Sequence, residues 1–257
     1  MKMRIACLVL IIIALAHCTK SIALEEEESF DLNFHTQHVG SSANHLLSAS
    51  KFTSLKIEIQ YMKCFRPDRI AVAQLKSFLE EHLNKPDGIT IVTSEISSSG
   101  DSVLTMEEIM AIEKSNRKLY SSGKELAVYI LYTNGYYADD KMLGYAYLNT
   151  SAVMFGRNIK ENSNSFKKPS RTHLETRVLQ HELGHLLGLV NVGSPLQSSH
   201  KDDDHGKHCT NPQCLMYYLM DTEVPSFVLK KSVPKLDDAC LEDLKANGGK
   251  VRVEGKR

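Results

Sequence analysis

Apolar and polar positions change period several times along the chain. SLKIEIQYM (54–62) alternates with period two, the pattern of a half-buried strand. RIAVAQLKSFLEEHL (69–83) has helical spacing and stops before Pro86-Asp87-Gly88. GITIVTSEI (88–96) predicts the next strand. TMEEIMAIEKSNRKLY (105–120) predicts a helix, opened by Thr105 with Glu108 three residues on, a capping-box arrangement. ELAVYILYT (125–133) is almost continuously apolar and predicts a central strand covered on both faces. GYAYLNTSAVMFGRNI (144–159) predicts one or two further strands, followed by a Lys- and Ser-rich loop to Arg171. A helix then opens at Thr172-His173-Leu174-Glu175, which reads as a second capping box, and runs to Gly188. Its Leu174, Val178, Leu179, Leu183, Leu186 and Leu187 cover most of the circumference, so it is buried on nearly all sides. The predicted class is α/β (α+β): a mixed twisted sheet and one long buried helix.

The first 52 residues follow a different pattern. Lys2 and Arg4 precede an apolar run from Ile5 to Ala16 that is short for a membrane span, which predicts a signal peptide over 1–23; a retained anchor is the alternative. Cleavage fits near Ala16 or Ala23. Leu15-Ala16-His17-Cys18 also resembles a bacterial lipobox, departing from it at His17, and makes Cys18 a candidate for lipidation. Residues 24–52 are acidic, then rich in Ser and His, and read as a leader or tether, or as a short pro-segment. One catalytic domain is expected over 53–257. Export permits disulfides. Cys64, Cys209, Cys214 and Cys240 allow three pairings, and Cys209–Cys214 with Cys64–Cys240 is the favoured one. Lys+Arg and Asp+Glu are both 31, so no basic excess points to nucleic acid.

The chemistry sits in the buried helix. HELGHLLGL (181–189) places His181 and His185 one turn apart on the same side, where both imidazoles can reach one metal ion. Glu182 lies between them, placed to act as a general base on a water at that metal rather than as a ligand. Histidines in so apolar a helix are costly unless something satisfies them, and a metal does so. A catalytic zinc takes three protein ligands and keeps one position open. Further on, the chain reads LVNVGSPLQSSHKDDDHGKHCTNPQCLMYY (189–218). His200, His205 and His208 are the candidates for the third ligand. Asp202, Asp203 and Asp204 could hold an additional structural cation of the calcium kind, although a solvated acidic loop is the plainer reading.

HELGHLLGL and HCTNPQCLMYY (208–218) together resemble the metzincin clan of zinc metallopeptidases. The second block is similar to the matrixin pattern H-S-x-D-P-x-x-L-M-Y and to the archaemetzincin pattern H-C-x-x-x-x-C-x-M. The resemblance implies that Gly188 lets the chain turn back and that Met216 floors the site in a Met-turn. A small C-terminal subdomain would follow the glycine turn. The clan's third histidine falls three residues after the glycine, where this chain has Asn191; the resemblance implies an insertion before His208 and makes His208 the favoured third ligand, with His205 and then His200 as competitors. Tyr218 occupies a place where related families use a tyrosine to steady the oxyanion, but a core aromatic is the favoured reading. The implied function is a zinc endopeptidase, exported or held at the cell envelope by a lipid, acting on peptide or protein substrates that pair with a sheet edge within 144–155. The alternatives are an inactive binding lipoprotein on the same scaffold and a closed structural site of His208 with Cys209 and Cys214. Specificity and oligomeric state are not encoded in these patterns.

Overall fold

The computed structural model describes residues 31–138, 141–165, 168–220 and 232–250. The expected signal peptide, its lipobox cysteine Cys18 and the acidic run 24–30 lie outside them. In chain order the elements are α1 (Ala43–Leu47), β1 (Ser54–Met62), α2 (Arg69–His82), β2 (Ile89–Ile96), β3 (Val103–Leu104), α3 (Met106–Asn116), β4 (Glu125–Thr133), β5 (Tyr136–Tyr137), β6 (Gly144–Leu148), β7 (Ser151–Phe155), α4 (Gly156–Glu161), α5 (Arg171–Leu186) and α6 (Asp238–Ala246). Among the described residues no helix is long and apolar enough to cross a membrane.

Five strands form one mixed sheet in the order β2-β1-β4-β7-β6. The first four are parallel, and β6 returns antiparallel to β7. β4 is central and buried from Leu126 onward, which explains its unbroken apolar run. α2 and α5 cover one face of the sheet, with Ile57, Ile59, Leu75, Leu79, Val128, Val178 and Leu183 in a common core. On the other face Ile109 of α3 packs against Tyr129, Leu131, Val153 and Phe155. The segment 144–159 resolves into the β6–β7 hairpin followed directly by α4, so the sheet ends in a single short antiparallel edge beside α5.

Every residue of α5 from Leu174 to Leu186 is buried, in keeping with the apolar circumference. Its start differs from expectation. Ser170 is the N-cap, its Oγ accepting from the His173 amide at 3.2 Å. Thr172 instead donates to Asp68 Oδ2 at 3.0 Å. Glu175 is buried, accepting from the Asp68 amide at 2.7 Å and pairing with Arg171 at 2.6 Å. Asp68 in turn caps α2 through Ile70 and Ala71. The residues read as a local box are spent on locking α5 against the start of α2. The Thr105/Glu108 box of α3 is formed as expected.

Residues 31–52 are not a tether. His35 is buried; its Nδ1 lies 2.8 Å from Thr150 Oγ1 and its Nε2 accepts from the Ser121 amide at 3.0 Å. Burial, and then the neighbouring Arg117 guanidinium, push this imidazole down to about 3, so it is neutral. Asn149, fully buried, donates to Phe34 O at 2.6 Å and to Ser42 Oγ at 2.7 Å. Lys85 Nζ gathers the carbonyls of His45, Ser48 and Phe52 at 2.5–2.7 Å. Such a buried ammonium is tolerable only with its acceptors in place. A chain that starts at Lys51 is therefore expected to lose about 10 °C or more in Tm, or to show no cooperative melt, because several buried polar groups lose their partners at once. Calorimetry checks this, and an unchanged Tm would restore the tether.

Candidate metal centre

The i, i+4 spacing brings His181 and His185 together inside the molecule. His181 Nδ1 donates to the carbonyl of Leu215 at 2.8 Å, which leaves its Nε2 with the lone pair. That Nε2 faces His185 Nε2 at 3.1 Å. Two nitrogens bound at 2.0–2.1 Å to a tetrahedral ion would sit about 3.3 Å apart, so the spacing suits zinc. His208 completes the group: one nitrogen from each of the three rings lies within 4.8 Å of the others. The His208 Nδ1 donates to His205 O at 2.8 Å. Burial first, and then the neighbouring His208, lower the His181 imidazole to about 3. Burial and the two neighbouring rings hold His185 well below its usual value. Both are neutral at pH 7 and offer lone pairs, as metal ligation requires.

Glu182 is 1% exposed and points to the sheet edge, where its Oε2 accepts from the Ala146 amide of β6 at 2.8 Å. Gly144, two residues earlier, lets strand and helix meet: a Cβ there would come within 2.6 Å of Val178 and 2.9 Å of Glu182 Cγ. The carboxylate is thus held against the backbone of the edge strand.

The chain between the two motifs explains how a late histidine arrives. Gly188 turns the chain in the left-handed region (φ 77°), and Val190 and Asn191 follow with positive φ. Asn191 is exposed and takes no part in the cluster. The returning chain is tied by Asp202 N–His208 O at 2.8 Å, Thr210 N–His200 O at 2.9 Å and the Lys201–Cys209 bridge. His205, the competitor, stacks on Tyr218 with ring centroids 3.6 Å apart and bonds Asp202 Oδ2 at 2.7 Å, away from the cluster. Tyr218 is engaged by that stack, neither core nor against the three histidines. Met216 is fully buried beneath α5, where a Cβ on Gly184 would approach its sulfur to 2.4 Å.

The acidic triplet is a polar loop, its plainer reading: Asp202 is occupied by His205 and by the amides of Asp204 and His205, while Asp203 is exposed beside Lys201. One expectation needs correction: the favoured disulfides are not present. Cys64, Cys209, Cys214 and Cys240 are all free thiols, and Cys64 is exposed while the other three are buried together. The reason is topological: α6 returns to the segment before Met216 and sets Cys240 Sγ 3.6 Å from Cys214 Sγ. His200 Nδ1 lies 3.9 Å from Cys240 Sγ, and its Nε2 pairs at 2.8 Å with the fully buried Asp243. Asp237, the N-cap of α6, reaches Cys209 Sγ at 3.3 Å. His200, Cys209, Asp237 and Cys240 form a second group of ligand atoms within 4.8 Å. Hydrogen bonds from Cys214 and then Cys240 lower the Cys209 thiol, while Cys209 pushes Cys214 up to about 12. The sequence signal for this group was the Cys209-x4-Cys214 spacing with Asp237-x-x-Cys240 behind it; pairing the cysteines as disulfides concealed it.

No family model and no curated protein matches the chain. Solved structures do. The crystal structure of archaemetzincin from Methanopyrus kandleri aligns at TM-score 0.50 and 14% identity, over 76% of this chain and 96% of its own. Metalloproteinase-II from Bacteroides fragilis aligns at TM-score 0.44 and 18% identity, over 79% of this chain and 56% of its own. The chain has an archaemetzincin-like fold.

Gly184→Ala is expected to destabilise by about 1–3 kcal/mol, because the added methyl overpacks against the buried Met216. Urea unfolding measures this. Wild-type stability would show that the floor under α5 is loose.

Proposed function

We propose that the chain is a zinc-dependent endopeptidase, with His181, His185 and His208 as ligands and Glu182 as general base. The convergence of three imidazoles beside a buried carboxylate carries this reading. The metal group fits the residues present: His181 and His185 are neutral, His181 and His208 are oriented by backbone carbonyls, and the Nε2 atoms of His181 and His185 are spaced for a small tetrahedral ion. A zinc ion bound there would supply Lewis acidity, polarising the scissile carbonyl and acidifying the attacking water. Glu182 takes the proton from that water and passes it to the leaving amine. The Ala146 amide holds Glu182 in place. β6 is the free edge of the sheet nearest the centre, so an extended peptide laid along it brings its backbone beside Glu182. The archaemetzincin-like fold supports the assignment, and the intact Glu182 counts against an inactive binding scaffold. Export, by a signal over 1–23 with Cys18 as a possible lipid anchor, belongs to the same proposal.

Glu182→Gln should lower hydrolysis of a casein-type substrate by about 10²–10⁴-fold with zinc content unchanged. Retained activity would remove Glu182 from its role. His208→Ala should lower zinc content and His205→Ala should not; the reverse result moves the third ligand.

A second, structural ion is also proposed, held by His200, Cys209, Asp237 and Cys240. Closed sets of four protein ligands with cysteine among them are the structural kind. Asp243 would orient His200 as the outer carboxylate of a metal-bound imidazole. Protein lacking residues 1–23 should carry two zinc ions, and Cys240→Ser one. A thiol reagent should find Cys64 at once and the other three only after chelation. A single zinc in the wild type, or a disulfide by mass, overturns the second centre.

A further inference from the structure

β6 carries an aromatic shelf that the hydrolytic chemistry does not use. Along this edge strand Gly144 and Ala146 face α5, as the Gly144 approach to Val178 and Glu182 requires. Tyr145 and Tyr147 therefore point to the opposite face of the sheet. Tyr147 is committed to the protein, its hydroxyl donating to Glu113 at 2.6 Å. Tyr145 is 40% exposed, a large ring left open to solvent next to the residue that holds Glu182. It lies nearly parallel to Tyr137, with centroids 6.5 Å apart and planes at 10°. Tyr137 in turn leans on the buried Phe155 at 5.7 Å, so the shelf has a rigid backing. Met142 packs on the same cluster.

A strand added to the free edge of β6 continues the pleat. Its side chains alternate between the α5 face and the tyrosine face. The residue opposite Tyr145 brings its Cβ to about 4.5–5.5 Å from that of Tyr145. Since Ala146 is bonded to Glu182, that residue lies within about two positions of the scissile bond, at about 3.4 Å per residue.

We propose that Tyr145, backed by Tyr137, is a specificity-determining residue that selects a peptide with an aromatic or large aliphatic side chain next to the scissile bond. This inference rests on the peptidase reading above. A small or charged residue at that position leaves the ring exposed or desolvates a charge against it; a large apolar one buries both surfaces.

The test is a set of internally quenched peptides varied at the two positions on each side of the cleaved bond. The zinc-loaded wild type should favour Phe, Tyr or Leu over Ala or Asp at one position by about tenfold in kcat/KM. Tyr145→Ala should flatten the preference at that position and leave the preferences at the others in place, and Tyr145→Phe should restore it. An unchanged preference in Tyr145→Ala overturns the proposal. If the wild type cleaves no peptide, the peptidase reading fails first. The inference is then read from equilibrium binding of Phe- and Ala-bearing peptide hydroxamates to the zinc-loaded protein, where equal affinities overturn it.

Discussion

A buried helix with two histidines on one side imposes the central constraint on this molecule. His181 and His185 are both buried, and an unsatisfied ring nitrogen in such surroundings costs of the order of 1–3 kcal/mol. One nitrogen of His181 is met by the Leu215 carbonyl. The two Nε2 atoms are left facing each other at 3.1 Å, an arrangement that a shared cation relieves. The surrounding structure serves that arrangement. α2 and α5 are locked through Asp68, Thr172 and Glu175, which sets the height of the helix above the sheet. Gly144 and Gly184 let the edge strand and the segment bearing Met216 approach the same helix from two sides.

The loop from Gly188 to Met216 turns that constraint into a site. It leaves α5 through a left-handed glycine and returns as a short ladder that delivers His208 and Cys209 as adjacent residues. Because neighbours in an extended segment point to opposite sides, one enters the histidine cluster and the other the thiol cluster. The two groups therefore share one piece of backbone. A long insertion costs little closure entropy, and the thiols, His200 and Asp243 hold its far end against α6. The same economy appears at the amino-terminal side, where Lys85, Asn149 and His35 tie residues 31–52 into the domain rather than leaving them to drift.

Much of the sheet and the heart of the site were legible from residue order, for reasons that can be named. β1, α2, β2, α3 and β4 have unambiguous periods. The His181/Glu182/His185 triplet needs only helical geometry to converge. Features that depend on distant partners were misread. Thr172 and Glu175 satisfy a capping-box pattern, yet Asp68, more than a hundred residues earlier, takes both. Cys214 and Cys240 look like disulfide candidates in an exported chain until α6 folds back beside His200. Residues 31–52 are polar enough to pass for a leader, and their partners lie at Thr150, Asn149 and Lys85.

Local patterning alone determined that there is a buried helix bearing two imidazoles on one side with a carboxylate between them in sequence, because periodicity is a property of consecutive residues. Tertiary structure alone decided which histidine comes third, which cysteines meet, what becomes of the acidic triplet and which strand lies open beside the carboxylate. Those outcomes depend on how a long loop closes and which groups it finds on arrival. Hydrogen-bond partners remote in sequence settle them, and no short-range pattern encodes such partners.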